Sequence, residues 1–125
     1  MGQYFHPVNL DKKEYLHPHK FDDGLKLLEF GCSADGTMTA LAILLRRSSE
    51  GGGGDIHTQS DLIGSWAGDR IVIIGDYDDS GLYQMLESKY KDISEGILKV
   101  MKKEGIVRDK NSGFSLRPDM ILRGK

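Results

Sequence analysis

Ile71-Val72-Ile73-Ile74, closed by Gly75-Asp76, decides how this chain is read. Four consecutive β-branched residues favour the extended backbone, and an apolar run without alternation belongs to a strand covered on both faces. The run is therefore expected to be the central strand of a sheet. Before it stands Leu62-Ile63-Gly64-Ser65-Trp66-Ala67-Gly68-Asp69-Arg70, and after it comes the acidic turn Asp76-Tyr77-Asp78-Asp79-Ser80-Gly81. Beyond the turn, Leu82, Met85, Leu86, Tyr90, Ile93, Ile97, Leu98 and Met101 recur at three- and four-residue spacing, the mark of a helix with one core face. Asp92-Ile93-Ser94-Glu95 has the spacing of a capping box, so the region is expected to be two helices broken near Lys91 and stopped at Glu104-Gly105.

Upstream, residues 3–9 and 13–17 are β-rich and separated by the polar Leu10-Asp11-Lys12, which predicts a hairpin. Pro7 lacks a ladder donor, which places the first of these strands at the periphery. Leu25 to Phe30 reads as a strand. Asp35 is positioned to cap a largely buried helix over Thr37 to Arg47, with Arg46-Arg47 suiting its C-terminal dipole. Gly51 to Gly54 makes residues 48–55 a flexible loop. Ile106 to Leu116 reads as a terminal hairpin, with Met120 to Leu122 a last short strand. The sum is a single compact α+β domain over residues 1–125, with a mainly antiparallel sheet and two principal helices.

Composition supports that reading and narrows the function classes. The 125 residues suit one domain, and 38% hydrophobic and 29% charged content with net charge −2 is ordinary for a globular chain. Seventeen basic against nineteen acidic residues give no general attraction to a polyanion, so the charge balance argues against a nucleic-acid partner. The start has no basic segment followed by an apolar one, and the longest apolar run, Ala40 to Leu45, is far short of a membrane span. The single cysteine, Cys32, rules out an internal disulfide and fits a reducing, cytoplasmic setting.

Three groups of residues could carry chemistry. Trp66, Asp69 and Arg70 at one end of the β-branched run, with Asp76 and Asp78 at the other, form a candidate ligand site in which Trp66 is a stacking platform; the plainer alternative makes Trp66 a core plug and Asp69-Arg70 a turn. Asp76, Asp78, Ser80, Gly81 and Glu87 fall at the first, third, fifth, sixth and twelfth places of a calcium loop, with Leu82 supplying a carbonyl, although a strand rather than a helix precedes them. His17 and His19, two apart and so able to share a strand face, could join His6 or His57 and a carboxylate such as Asp22, Asp23 or Asp55 around a transition metal. The glycine run lacks the lysine and hydroxyl of a phosphate-binding loop.

The strings Met-Gly-Gln-Tyr-Phe, Asn9 to Phe21, Leu27 to Gly31 and Gly64 to Arg70 resemble those of a group of small uncharacterised prokaryotic proteins. The resemblance spans roughly the first 80 residues and implies kinship without an activity, so it transfers no catalytic residue. With no assembled catalytic constellation, the leading expectation is a non-enzymatic binding or regulatory module, of the kind mobile elements and phages carry, acting on a protein or small-molecule ligand. A small hydrolase or nucleotide-processing enzyme using His17, His19 and Asp69, Asp76 or Asp78 is the rival. Homo-oligomer formation through an edge strand is the third reading.

Overall fold

The computed structural model describes residues 2–48 and 52–106, so the expected terminal hairpin and last strand lie outside the described residues, apart from Ile106. The elements run β1 (Phe5–Asn9), β2 (Glu14–Tyr15), a 3₁₀ turn (Pro18–Phe21), α1 (Leu27–Gly31), α2 (Thr37–Leu45), β3 (Ile71–Gly75), α3 (Leu82–Lys89), β4 (Lys91–Asp92) and α4 (Ser94–Lys103). They form an α+β domain around one mixed sheet ordered β3-β1-β2-β4. Two of its pairings are antiparallel, and β2 with β4 is parallel. The two longest helices are α2 and α4, at 9 and 10 residues.

The strand order corrects two expectations together: among the described residues β1 is interior and β3 is an edge. The proline rule constrains only the side its missing N–H would face. Leu10 N–H donates to Arg70 O and Asp76 N–H to Tyr4 O, so the bonded pairs of the β1–β3 ladder fall on even-numbered residues; Pro7 and Ile73 are a non-bonded pair. Pro7 therefore turns its nitrogen toward β2, which has only two residues and pairs with Val8 and Asn9. Proline costs β3 no bond.

Helices pack on both faces of the sheet, but β3 is not buried on both as its apolar run predicts: Ile71, Val72 and Ile74 are half-buried and Ile73 is exposed, because β3 lies at the margin of the sheet among the described residues. Val8, Tyr15, Val72 and Ile74 pack with Leu82 and Leu86 of α3. The opposite face meets the larger core, in which Leu16, Phe21, Trp66 and Ile71 join Ala40, Leu41, Ile43 and Leu44 of α2 and Ile97, Val100 and Met101 of α4. Ile71 thus feeds one cluster and Val72 and Ile74 the other, which accounts for three of the four apolar residues of the run.

Local chemistry sets the helix ends. Residues 27–31 form a short helix, not the expected strand, with the Lys26 N–H donating to the Glu29 carboxylate at 3.0 Å in a capping-box contact. The cap of α2 is Asp23, not Asp35. Buried Asp23 accepts from both the backbone N–H and the hydroxyl of Thr37, each at 2.7 Å. Gly36 stands between them because a Cβ there would collide with the Asp23 carboxylate. At its other end α2 stops at Leu45, short of the arginines, and its Ile43 and Leu44 carbonyls accept from the N–H groups of Gly64 and Trp66 at 2.9 Å each. Arg46 instead pairs with Asp55, its Nη2 donating to the carboxylate at 3.1 Å. The expected break near Lys91 is present as β4, where Ser94 N–H donates to Asp92 at 2.9 Å. α4 ends in a Schellman arrangement: Gly105, at φ 87, donates to Lys102 O and Ile106 to Met101 O.

Candidate functional site

The polar residues at the start of β3 are spent on holding the β1–β2 turn. Asn9 accepts from the N–H groups of Asp11 and Lys12 at 2.9 and 2.8 Å, and its amide donates to Asp69 at 2.8 Å. Lys12 pairs with the same Asp69 carboxylate. Asp11 accepts from the backbone N–H and the Nε of Arg70, both at 2.8 Å. These bonds hold the Asp69 and Asp11 carboxyls below their usual range, the first chiefly through Asn9 and the second chiefly through the Arg70 backbone N–H. Trp66 is fully buried and donates its indole N–H to Glu14 at 2.8 Å. It presents no open face for stacking, and its place is in the core.

At the far end of β3, Asp76 accepts from the Tyr4 N–H at 3.0 Å and so lengthens the β1–β3 ladder. Asp78 accepts from the backbone N–H and hydroxyl of Ser80, at 3.2 and 3.4 Å, while Ser80 Oγ accepts from Leu82 N–H at 3.2 Å and starts α3. The calcium-loop spacing is therefore occupied by a helix start. Leu82 is already helical, and Glu87 is exposed on α3 beyond the turn. Among the described residues no three His, Cys, Asp or Glu side chains are grouped so as to hold a metal ion. Asp69 and Asp76 lie at opposite ends of the strand, roughly 20 Å apart at the rise of an extended chain.

The histidines, by contrast, do come together. The His6 ring lies 4.8 Å from His17, 5.1 Å from Tyr83 and 5.6 Å from Tyr15, and His17 lies 5.1 Å from His19, all as ring centroids. His6, on β1, is 7% exposed, and its Nδ1 meets Leu16 O at 3.2 Å. A carbonyl only accepts, so Nδ1 carries the proton and neutral His6 keeps its lone pair on Nε2. This bond replaces one that cannot form: Leu16 N–H donates to Pro7 O, but Pro7 has nothing to return to Leu16 O. Burial, then the charge of His17, lowers His6 to about 4; burial, then His19, lowers His17. Tyr15 and Tyr83 are raised, each first by burial, then by Asp92 and Glu87 for Tyr15 and by Asp76 and Tyr4 for Tyr83.

Sequence reasoning paired His17 with His19 and allowed His6 as a partner, but the carboxylates nearest in effect are Asp92 and Glu87, not Asp22, Asp23 or Asp55. It did not bring in Tyr83, and it read Asp92 only as a helix cap, not as a neighbour of the histidines. The signal lay in His6-Pro7, where a strand donor is lost beside a side chain able to replace it. No family model, curated protein or solved structure matches the chain.

Proposed function

We propose that this chain is a non-enzymatic binding module that recruits a partner strand along the outer edge of β3. The observation that carries the reading is that, among the described residues, β3 has a strand neighbour on one side only. Natural edges are usually blunted by a charge, a proline or a bulge, and Ile71–Gly75 has none. Ile73 is 40% exposed, with Tyr4 and Tyr77 exposed close by in the chain and ladder. By the ladder phase, Ile71 and Ile73 point their N–H and C=O groups away from β1, ready for strand addition. The partner favoured is a second copy of this chain, because two β3 strands set antiparallel about Ile73 present the same groups to each other. The cytoplasm is the setting that its lone cysteine suits.

Ile73→Pro is the discriminating variant. It removes an outward donor and leaves the inward β1–β3 bonds of Val72 and Ile74 in place. Sedimentation equilibrium is expected to show wild-type association that Ile73→Pro abolishes, with circular dichroism unchanged. A wild-type monomer that also fails to bind a synthetic peptide of residues 70–76 refutes the reading.

A further inference from the structure

The histidine ladder touches four elements at one point. His6 is on β1, Tyr15 on β2, His17 at the entry to the 3₁₀ turn and Tyr83 on α3. The His17 backbone N–H is held by Ser94 Oγ of α4 at 2.7 Å, and His17 Nδ1 accepts from His19 N–H at 3.3 Å. We propose that His6, His17 and His19 form an acid-sensitive latch that holds α3 against the sheet and releases it when the ladder takes up protons.

The argument is one of charge placed where it has no outlet. A second proton on His6 must go to Nε2, because Nδ1–H is already committed to Leu16 O. The ring is 7% exposed and is packed by His17, Tyr15 and Tyr83, so the new cation is poorly solvated. Its neighbours His17 and His19 disfavour the added charge, and Lys20 acts against His17 in the same sense. The opposing carboxylates are Asp92 of β4 and Glu87 of α3. Asp92 is already engaged by Lys20 at 3.4 Å and by the Ser94 N–H, Lys20 also lies 3.7 Å from Glu95, and Glu87 is exposed. Tyr83, with Asp76 and Tyr4 beside it, and Tyr15 remain neutral throughout this range.

The element that yields is α3. It seats on the sheet through the smaller cluster, Leu82 and Leu86 over Val8, Tyr15, Val72 and Ile74, whereas α2 and α4 share the larger core on the other face. Lifting α3 moves Tyr83 away, lets water reach His6 Nε2 and uncovers one face of the sheet, while the α2–α4 side keeps its packing.

The test is amide exchange by NMR on the full chain from pH 7 to 4, corrected for intrinsic rates, together with titration of the histidine Cε1 protons. Protection over Leu82–Lys89 is expected to fall by about tenfold or more, with a change under about twofold in Thr37–Leu45 and Ser94–Lys103, and with the same midpoint as His6. His6→Asn keeps a donor near the Nδ1 position but cannot take up a proton, and is expected to hold α3 closed to lower pH. The latch is overturned if α3 protection is constant across this range, if it is lost only together with α2 and α4, or if His6 titrates without any change in α3. The wild-type titration decides the matter even where the variant fails to fold.

Discussion

Replacing Asp23 by alanine is expected to be among the most damaging single changes away from the large apolar side chains. Asp23 is 5% exposed and accepts from Thr37 N–H and Thr37 Oγ1 at 2.7 Å each, so it caps α2 and satisfies a buried hydroxyl at once. Losing an N-terminal cap costs about 1 kcal/mol, and leaving a buried hydroxyl without its acceptor costs about 1–3 kcal/mol, giving roughly 3 kcal/mol for Asp23→Ala. For a chain of this length that corresponds to a fall in Tm of roughly 10 °C or more. Asp23→Asn keeps an oxygen able to accept both bonds and gives up only their charge assistance, about 1 kcal/mol. The cycle with Thr37→Val separates the parts. Once Thr37 has no hydroxyl, Asp23→Ala no longer strands one, so the double variant is expected to recover about 1–2 kcal/mol relative to the sum of the singles. Urea unfolding followed by Trp66 fluorescence measures all four proteins. A cost below about 0.5 kcal/mol for Asp23→Ala, or strict additivity in the cycle, refutes this account of how α2 begins.

Stability should also depend on pH in a window set by His6. Its folded value of about 4 lies below the ordinary 6.5, so between these pH values the unfolded chain binds more protons. The stabilisation is complete above 6.5 and falls by about 3 kcal/mol as pH drops toward 4, before the lowered Asp11, Asp55, Asp69 and Glu104 add their own losses at lower pH; equal urea midpoints at pH 7 and pH 4.5 count against it. Trp66→Phe forfeits buried volume and the bond to Glu14 and is expected to cost about 2 kcal/mol, against under 1 kcal/mol for Glu14→Gln, both read by denaturant midpoint. Arg70→Ala removes a well-exposed partner of Asp11 and should cost under about 1 kcal/mol, so a large loss of stability would show that the β1–β2 turn depends on it far more than an exposed ion pair allows.

The fold class was legible because it rests on periodicity: the β-branched run, the three- and four-residue spacings after Gly81 and the stop at Glu104-Gly105 are direct consequences of how strands and helices bury side chains. Strand order was not legible. An apolar run predicts that both faces of β3 are covered, and this holds only in part: Val72 and Ile74 pack into one cluster and Ile71 into the other, while Ile73 is exposed. It reports nothing about lateral neighbours, whose bonds are made by backbone that every residue has. The α2 cap was misplaced for a related reason: Asp35 is adjacent in sequence, while Asp23 reaches Thr37 across a gap that only folding closes. At the site, residue type was informative and role was not. Asp69, Arg70, Asp76 and Asp78 look like ligands in a list, yet each has a backbone or side-chain partner that fixes a turn or a helix start.

Pro7 ties these observations together. An interior strand tolerates it only because β2 ends at Tyr15, so the one donor it lacks is owed to a single carbonyl, Leu16 O. That debt is met by the neighbouring His6, and meeting it fixes the imidazole's tautomer, orientation and burial in one step. A sequence with an ordinary residue at position 7 would have a backbone donor for Leu16 O, and His6 would lose that acceptor while staying packed by His17, Tyr15 and Tyr83. The proline thus makes the strand dependent on a side chain whose charge is set by pH. A Pro7→Val variant gives Leu16 O a backbone donor and takes from His6 the bond that favours its protonated form, so it is expected to move the His6 titration midpoint further below 6.5, read by NMR titration of the His6 Cε1 proton; a midpoint that rises toward 6.5 refutes this account.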